Sequence, residues 1–347
     1  MKPTFSLPKT SPRVLLIAPF PAPFINVDIA ILQEFARVKC LIKSGLKAIP
    51  LILWNMLFCE VVFCWFGSVY AAVAALFAKI IRKRSIIVLG GVDAAALPEI
   101  NYGIWLSPWK SRLLTRGLRS ADLILVVAPS MKEKIKEFAR YDGANIEYLP
   151  TGYDAAFWKP GAPKEKFVLT VGQSDTVTRL KKKGIDFLCR AAEKMPEIPF
   201  VIIGVTPELL ETAGITVPGN VQLLPPMPQA ELLKFYQRCA VFCQPSRSEG
   251  MPNTLCEAMA CGCIPVGTDV DGIPAAIGNT GFLAPPGDID ALVNALRQAL
   301  ALEPAFGERA RQRIISEFPL QRRVAGLKRA IFSKEGEGRV EEWWIDG

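Results

Sequence analysis

The stretch AVFCQPSRSEGMPNTLCEAMACGCIPVGT, residues 240–268, contains an apolar run, a polar loop, a helical pattern and a second apolar run. The runs at 240–246 and 264–268 have the length of buried strands, and the helical pattern covers 253–261. Apolar strands on both sides of a helix are typical of a parallel sheet covered by helices. The stretch therefore predicts an α/β unit.

The same alternation continues in both directions along the chain. In the first half, the pattern predicts strands at 14–18, 61–66, 85–90, 121–128 and 146–150, and helices at 27–37, 69–81 and 130–140. In the second half, it predicts further strands at 166–172, 199–204 and 221–225, and helices at 184–195, 229–237 and 288–302. The segment 159–166, KPGAPKEK, has the composition of a linker between the two halves.

The chain of 347 residues is long enough for about two domains, and half of it is apolar. We expect two doubly wound, Rossmann-like parallel-sheet domains that face each other across a cleft, because ligands bind beyond the carboxyl ends of the strands in such sheets. The expected divisions are a loose segment at 1–12, domains at 13–160 and 161–318, a helix at 319–333 that crosses back to the first domain, and a tail at 334–347.

Positive charge is concentrated in the first half of the chain. The formal net charge is +8, yet residues 1–160 hold 20 Lys and Arg against 11 Asp and Glu, while the rest holds 21 against 22. This excess suggests an anionic partner, such as a phosphorylated substrate or a membrane surface; the alternative is a solvated basic face. Nucleic acid is not expected, because no nucleic-acid-reading motif accompanies the charge.

The chain contains no histidine, which excludes Ser-His-Asp and Cys-His triads, an imidazole base and His-ligated zinc. Its nine cysteines are an odd number, and Cys40 and five others lie in apolar runs. This pattern predicts buried thiols in a reducing compartment, hence a cytoplasmic location. Cys261 and Cys263 are too close together for a usual zinc pair, and no metal site is expected.

One apolar stretch, residues 61–81, is long enough to span a bilayer and is followed by the basic residues 82–84. The alternative divides it at Gly67 and Ser68 into a short buried strand and an Ala-rich core helix. We favour the second interpretation because strands and helices alternate on both sides.

Two carboxylates frame the loop of the opening stretch. Glu249 follows the strand at 240–244, Asn253 can cap the next helix, and the free N–H groups at that helix start suit an anion. Glu257 lies one turn into the helix, so the two carboxylates can flank one anionic ligand and accept hydrogen bonds from sugar and ribose hydroxyls. The alternative is a loop charge and a solvated helix face.

Two further clusters follow predicted strands. Arg179 and Lys183 lie in a basic loop where they can neutralise a diphosphate, whereas Lys181 and Lys182 are expected to be solvated; the alternative is an exposed basic turn. Gly90 and Gly91 allow close approach of a ligand to the backbone, and Asp93 can bind substrate hydroxyls. The alternative there is a Gly-rich turn with a capping Asp.

These residues resemble the retaining glycosyltransferases of the glycogen-synthase-like family, glycosyltransferase family 4, which have the GT-B fold. The resemblance covers about residues 14–332 and is strong over 168–290. The most specific feature is the E-x7-E pair, Glu249 and Glu257, within PSRSEGMPNTLCEAMACGCIPV. The segments RLKKKGID, PTGYDAAFW and GFLAPPGD support it.

The resemblance implies a role for each matching residue. Glu249 would bind hydroxyls of the donor sugar, and Glu257 would bind the nucleotide ribose. Arg179 and Lys183 would hold the diphosphate. The remaining donor contacts would come from Gly250, Met251, Asn253, Thr254 and Leu255, with Leu224 and Pro225 at the base. The acceptor side would contain Gly90 and Gly91, with Asp93 where family members often have a histidine.

The reaction implied is transfer of a sugar from a UDP- or GDP-linked donor to a sugar or lipid-linked acceptor, without a metal or other cofactor. The chain departs from the family in the loop PFPAPFIN (19–26), which lacks glycine, and in the absent histidine. The alternatives are a non-catalytic nucleotide-sugar-binding subunit and a GT-B epimerase or hydrolase. The basic first domain suggests peripheral contact with the inner face of the membrane.

Overall fold

A computed structural model describes residues 11–161 and 163–333, which form two six-stranded parallel sheets. Most of the segment expected to be loose at 1–12, and the tail at 334–347, lie outside the described residues. The strand order is β2-β1-β3-β4-β5-β6 in the first sheet and β12-β11-β10-β7-β8-β9 in the second. The fold class is therefore the predicted one, two doubly wound α/β domains.

The first domain contains six strands and five α-helices before the linker. Its strands are β1 (Arg13–Ala18), β2 (Arg37–Ile42), β3 (Val61–Trp65), β4 (Arg84–Leu89), β5 (Leu123–Val126) and β6 (Ile146–Tyr148). Its helices are α1 (Pro23–Gln33), α2 (Ile49–Met56), α3 (Val69–Ile80), α4 (Pro108–Ser120) and α5 (Pro129–Ala139).

The second domain repeats this arrangement. Its strands are β7 (Glu165–Val171), β8 (Phe200–Ile203), β9 (Val221–Leu224), β10 (Cys239–Gln244), β11 (Ile264–Thr268) and β12 (Phe282–Ala284). The helices that follow α5 are α6 (Val177–Lys182), α7 (Ile185–Glu193), α8 (Pro207–Thr212), α9 (Gln229–Arg238), α10 (Asn253–Ala260), α11 (Ile273–Ile277), α12 (Ile289–Ala301), α13 (Gly307–Glu317) and α14 (Leu320–Phe332).

The order of the strands creates a crevice in each sheet. In the second sheet the chain runs outward through β7, β8 and β9 and then returns to place β10 on the other side of β7. The loops after β7 and β10 therefore leave the sheet in opposite directions, which opens a gap at their carboxyl ends. β1 and β3 are neighbours for the same reason in the first sheet.

The apolar stretch 61–81 forms strand β3 followed by helix α3, as the favoured interpretation predicted. Every residue of β3 is buried, because helices cover both faces of the sheet. Gly67 and Ser68 separate the strand from the helix. Among the described residues, no helix is both long and apolar enough to cross a membrane.

The structure of the first domain differs from the sequence predictions in the segment 23–42. The helix predicted at 27–37 begins at Pro23, where proline is favoured in a first turn, and it ends at Gln33. The residues after it form β2, which was not predicted. β2 is an edge strand in which only Leu41 is buried, so it lacks the continuous apolar run that identifies a buried strand. Cys40 in this strand is exposed, contrary to expectation, whereas the other eight thiols are buried.

Helix α14, the last in the described part of the chain, packs against the first domain through a buried ion pair. The Arg323 guanidinium donates to both carboxylate oxygens of Asp28 in α1, at 2.9 and 2.6 Å, and to the carbonyl oxygen of Leu149 at 3.0 Å. The indole N–H of Trp65 also donates to Asp28, at 3.0 Å. Only 1% of the Arg323 side chain and 2% of the Asp28 side chain are exposed.

We expect Arg323→Ala to destabilise the first domain by about 3–5 kcal/mol, because the change leaves the Asp28 carboxylate buried without its cation. Urea unfolding followed by tryptophan fluorescence measures the effect. Arg329→Ala is the matched control, because Arg329 pairs with Glu147 on the surface of the same helix and its loss should cost about 1 kcal/mol or less. Equal losses in the two variants would contradict the prediction.

Candidate functional site

The carboxyl ends of both sheets face one large cavity between the domains. Its volume is about 1530 Å³, and its lining includes the loops after β1, β3, β4, β7 and β9 and the beginning of α10. The cavity lies where doubly wound sheets bind their ligands, at the two crevices described above. It is therefore the candidate site, and Glu249, Glu257, Arg179 and Lys183 all contribute to its lining.

The Glu249 carboxylate lies between two lysine side chains. Lys182 Nζ is 2.9 Å from one carboxylate oxygen, and Lys183 Nζ is 2.7 Å from the other. Gln244 Nε2 and Ser246 Oγ donate to the second oxygen as well, at 3.1 and 2.9 Å. The residue is only 7% exposed, which excludes the alternative of a loop charge in solvent.

The electrostatics of this cluster favour an anion. Burial raises the pKa of the Glu249 carboxyl, but attraction to Lys182 and Lys183 outweighs it and lowers the pKa to about 2. Burial lowers the pKa of Lys183, against the attraction of Glu249. When both lysines are charged, two cations face one carboxylate, so the cluster presents net positive charge beside the cavity.

Asp271 holds the loop that carries Glu249. Its carboxylate accepts hydrogen bonds from the Glu249 N–H at 2.9 Å and from Ser248 Oγ at 2.6 Å. Its other carboxylate oxygen forms an ion pair with Lys134 of α5, which belongs to the first domain. Asp271 has a φ of +51°, in the left-handed region that few non-glycine residues adopt. One side chain therefore connects the first domain to the backbone of the Glu249 loop.

The beginning of α10 points backbone donors at the same region. The N–H of Cys256 donates to the Pro252 carbonyl oxygen, so the N–H groups of residues 253–255 precede this first helical hydrogen bond. The prediction that Asn253 caps the helix is wrong. Its side-chain oxygen instead accepts a hydrogen bond of 2.9 Å from the hydroxyl of Tyr153, and Pro252 is the N-cap residue.

Glu257 lies on the same helix and is 8% exposed, which excludes a solvated helix face. Its carboxylate accepts long hydrogen bonds from Gln229 Nε2 at 3.4 Å and from the Tyr236 hydroxyl at 3.3 Å. Burial without a nearby cation raises its pKa to about 8. The two carboxylates of the E-x7-E pair thus differ in protonation at neutral pH, and a hydroxyl ligand that donates to Glu257 would favour its charged form.

The basic segment differs from its prediction. Residues 177–182 form the short helix α6 rather than a loop, and Thr176 caps it by accepting from the Arg179 N–H. The Arg179 side chain is 51% exposed and pairs with Asp175 at 2.9 Å. Lys182, expected to be solvated, is buried and contacts Glu249. Arg179 lines the cavity, and its diphosphate role stays a prediction.

Asp93 organises a turn. Its carboxylate is fully buried and accepts from the backbone N–H of Gly67 at 2.9 Å and from those of Gly90 and Gly91 at 3.0 and 2.7 Å. Burial raises its pKa, and these three donors oppose that effect. The prediction that Asp93 binds substrate hydroxyls is therefore corrected. Its position fits the alternative, a Gly-rich turn held by an aspartate.

Glycines allow the two domains to touch beside the cavity. A Cβ atom on Gly250 would overlap the carbonyl oxygen of Gly90, and one on Gly91 would lie 3.2 Å from the Gly250 nitrogen. Gly91 has a φ of +140°, and a Cβ on Gly272 would overlap the Gly250 carbonyl oxygen. Gly90 and Gly91 therefore meet the Glu249 loop directly, and this close approach requires glycine on both sides.

The remaining predicted donor contacts fall in two groups. Met251, Asn253 and Thr254 line the cavity, whereas the Leu255 side chain is fully buried and only its backbone N–H bears on the site. Leu224 ends β9, and the lining of the cavity continues from the residues just after it, 226–229. The segment predicted to meet the base, Leu224–Pro225, is thus displaced from the cavity by one or two residues.

Sequence reasoning missed Lys182, Tyr102, Lys134 and Asp271. Lys182 could have been suspected, because it immediately precedes Lys183 and the two side chains leave the end of α6 together. Tyr102 lines the cavity from the first domain, with its ring centroid 6.0 Å from Lys182 Nζ. Nothing in the sequence connects Lys134 with Asp271, because only folding brings them together.

Within residues 11–161 and 163–333, no group of three or more Cys, Asp or Glu side chains is arranged to hold a metal ion. The positive charge identified at the cavity comes from lysine and arginine side chains and from the beginning of α10.

The sequence of the second domain matches a known family. Residues 165–301 match the model described as glycosyl transferases group 1. A D-inositol 3-phosphate glycosyltransferase of Mycolicibacterium gilvum is 28% identical over 213 residues, covering 55% of this chain and 47% of that protein. One from Segniliparus rotundus is 29% identical over 191 residues, covering 48% and 41%. The chain spans about half the length of the curated relatives it matches.

Solved structures match nearly the whole chain. Sucrose-phosphate synthase from Thermosynechococcus elongatus has a TM-score of 0.75 at 16% identity, covering 92% of this chain and 98% of that one. Anabaena HepE, in complex with UDP and glucose, has a TM-score of 0.73 at 14% identity, covering 92% and 99%. The chain therefore has the GT-B fold of these structures, and its residues 165–301 match the model of the group 1 glycosyl transferases.

We expect Gly250→Ala to separate the two domains beside the cavity, because its new methyl group would overlap the Gly90 carbonyl oxygen. The strain should cost about 1–3 kcal/mol and be seen as a lower Tm and a larger radius of gyration in solution scattering. Gly219→Ala is the control, because a Cβ there meets open space. A Gly250→Ala variant with unchanged Tm and radius would contradict the close contact.

Glu257 should make stability fall between about pH 5 and pH 8. Its pKa is about 8 in the folded protein and near 4.5 in the unfolded chain, so the folded state holds an extra proton in this range. The unfolding free energy of Glu257→Gln minus that of the unmodified protein should therefore increase by on the order of 4 kcal/mol from pH 5 to pH 8. Above pH 8 this difference should stay constant.

Chemical unfolding at pH 5, 6, 7, 8 and 9 measures this difference. The exposed Glu303→Gln variant is the control and should follow the unmodified protein at every pH. Parallel curves for Glu257→Gln and the unmodified protein would show that Glu257 titrates normally.

Proposed function

We propose that this chain, whose residues 165–301 match the group 1 glycosyl transferases, transfers a sugar from a nucleoside-diphosphate sugar to an acceptor hydroxyl with retained configuration. The observation that carries the proposal is the Glu249 carboxylate, which is held by Lys182 and Lys183 next to the beginning of α10. A carboxylate that can accept hydrogen bonds from sugar hydroxyls, two lysine cations and free backbone N–H groups therefore meet in one interdomain cavity.

The diphosphate of the donor would bind at the positive part of this site. Lys183 is the more exposed of the two lysines, with 23% of its side chain accessible, and can exchange its contact with Glu249 for a phosphate oxygen. The N–H groups at the beginning of α10 supply further donors, reinforced by the helix dipole. Arg179 can turn from Asp175 toward the same anion. Lys182 would then remain as the counter-ion of Glu249.

The sugars would lie on either side of the diphosphate. Glu249 would accept hydrogen bonds from hydroxyls of the transferred sugar as Lys183 moves to the phosphate. Glu257, with Gln229 beside it, would accept from the ribose hydroxyls, and the base would lie along residues 226–229. The similar protein HepE forms complexes with UDP and glucose and with UDP-glucose, which supports a nucleotide-sugar donor here.

In the reaction, the bond between the anomeric carbon and the phosphate oxygen breaks, and its electron pair goes to the diphosphate. A new bond forms from the acceptor oxygen to the same face of the anomeric carbon, and the acceptor proton passes to the departing phosphate oxygen. Lys183, Arg179 and the N–H groups of α10 would stabilise the negative charge, each by about 3–4 kcal/mol. Because these groups supply the positive charge, we propose that the step needs no metal.

The acceptor would enter from the first domain. Gly90 and Gly91 form that side of the cavity, together with Tyr102 and the aromatic loop after β1. A sugar or a lipid-linked sugar fits a cavity with polar groups at one side and apolar walls at the other. The basic first domain further suggests that the protein contacts an anionic membrane surface.

Sugar transfer should fall by at least about 10²-fold in Lys183→Ala and in Glu249→Gln, because each loses an interaction that develops with the leaving diphosphate or the bound sugar. Lys181→Ala is the matched control, since it removes a positive charge two residues away whose side chain lies outside the cluster. The measurement is transfer from radiolabelled UDP- and GDP-sugars to a total glycan and lipid extract, with Tm recorded to show intact folding.

Three outcomes would overturn the proposal. Near-normal transfer in both variants would show that the cluster is not the donor site. Donor turnover without any acceptor would indicate an epimerase or hydrolase. A Tm raised by UDP or GDP, with no turnover of any donor, would indicate a non-catalytic nucleotide-sugar-binding subunit.

A further inference from the structure

Helix α2 has an apolar face that points away from the protein. Trp54 is 63% exposed, and Leu46, Leu51, Leu57 and Phe58 are also exposed. At helical spacing these side chains fall on one side of α2 and the turn before it, whereas Ile52 and Met56 on the opposite side are buried. Trp54 and Phe58 pack edge to face, with ring centroids 5.6 Å apart, so together they form one apolar patch.

The segment that contains this patch is basic. Residues 37–58, which run from β2 through α2, contain four Lys or Arg and no Asp or Glu. Lys39, Lys43 and Lys47 are exposed along this segment. Residues 103–120, which include α4, likewise contain four basic residues and no acidic one. α3 packs between α2 and α4, so the two basic segments belong to one side of the first domain.

The same surface reaches the mouth of the interdomain cavity. Leu46 and Ile49, at the beginning of α2, line the cavity, as do Trp109 and Lys110 at the beginning of α4. Trp109 is exposed, with Lys110 Nζ 5.7 Å from its ring centroid. Leu46 therefore belongs both to the patch and to the lining of the cavity.

We propose that the α2 face, defined as Leu46, Leu51, Trp54, Leu57 and Phe58 with Lys39, Lys43 and Lys47, docks on an anionic lipid bilayer. Exposed Trp and Leu with flanking lysines are the chemistry of an interfacial helix, in which the apolar side chains enter the headgroup region and the lysines contact lipid phosphates. A second copy of this chain on the same face would cover the apolar side chains but would bring lysines against lysines, because residues 37–58 contain no Asp or Glu.

Docking at this face selects the class of acceptor. Resting on the proposed function, we infer that the acceptor hydroxyl belongs to a lipid-linked molecule. Its apolar part would stay in the bilayer beside α2 while its headgroup enters the cavity between Leu46 and Trp109. The donor, being water-soluble, would enter from the side of the second domain.

The experiment is vesicle flotation with the full chain. Vesicles of 70% phosphatidylcholine and 30% phosphatidylglycerol are compared with pure phosphatidylcholine at low and at physiological salt. The unmodified chain should bind the anionic vesicles, Trp54→Ser/Phe58→Ser should bind at least about tenfold more weakly, and Lys43→Ser/Lys47→Ser should lose binding only on anionic vesicles. Leu283→Ser is the matched control, because Leu283 is 38% exposed in β12 of the second domain, away from the α2 face.

Nucleotide binding distinguishes this inference from the proposed function. The Tm increase given by UDP and GDP should be the same in Trp54→Ser/Phe58→Ser and in the unmodified chain, because neither residue lies in the donor cluster. Equal flotation of all variants, or no flotation of the unmodified chain, would overturn the docking proposal. The proposed function would still stand if Lys183→Ala and Glu249→Gln lose sugar transfer as predicted. A dimer in sedimentation that Trp54→Ser/Phe58→Ser dissociates would also overturn it.

Discussion

A buried carboxylate must be neutralised or paired, and in this molecule the carboxylate of Glu249 is paired twice. Lys182 and Lys183 follow β7, Glu249 follows β10, and these strands are neighbours only because the chain returns to the centre of the sheet. Removing either lysine would leave its partner charge in a poorly solvated position. The topology of the second sheet therefore determines where this charged cluster forms, and the cluster in turn holds the loop before α10.

The same loop is where the first domain makes contact. Gly250 meets Gly90 and Gly91 backbone to backbone, and Asp271 connects the Glu249 N–H to Lys134 of α5. Any hinge motion that parts the domains must therefore break a contact of the Glu249 loop itself. This coupling gives a physical reason for a donor site to be completed only when the domains are together, which limits access of water to the bond that breaks.

Prediction from the sequence succeeded where the pattern that determines the structure lies within one short segment. The strand, loop and helix around Glu249 were predicted because their apolar runs and the E-x7-E spacing are local. Prediction failed where a side chain's environment comes from distant segments: the buried Asp93 carboxylate accepts from the N–H of Gly67, and Lys182 is buried against Glu249. β2 escaped prediction for a different reason, since an edge strand needs no buried face and therefore shows no apolar run.

The first domain contributes a different chemistry to the cavity. Its loop after β1 contains Pro19, Pro21 and Pro23, which lack N–H groups, and α1 begins with one of these prolines. The rings of Phe20 and Phe24 pack near Phe66, with centroid distances of 5.4 and 6.2 Å. A loop without glycines, with aromatic rings and few free donors is poorly suited to a phosphate and well suited to an apolar group. The anion-binding groups are thus concentrated in the second domain, and the apolar wall continues from the first domain's side of the cavity to the α2 face.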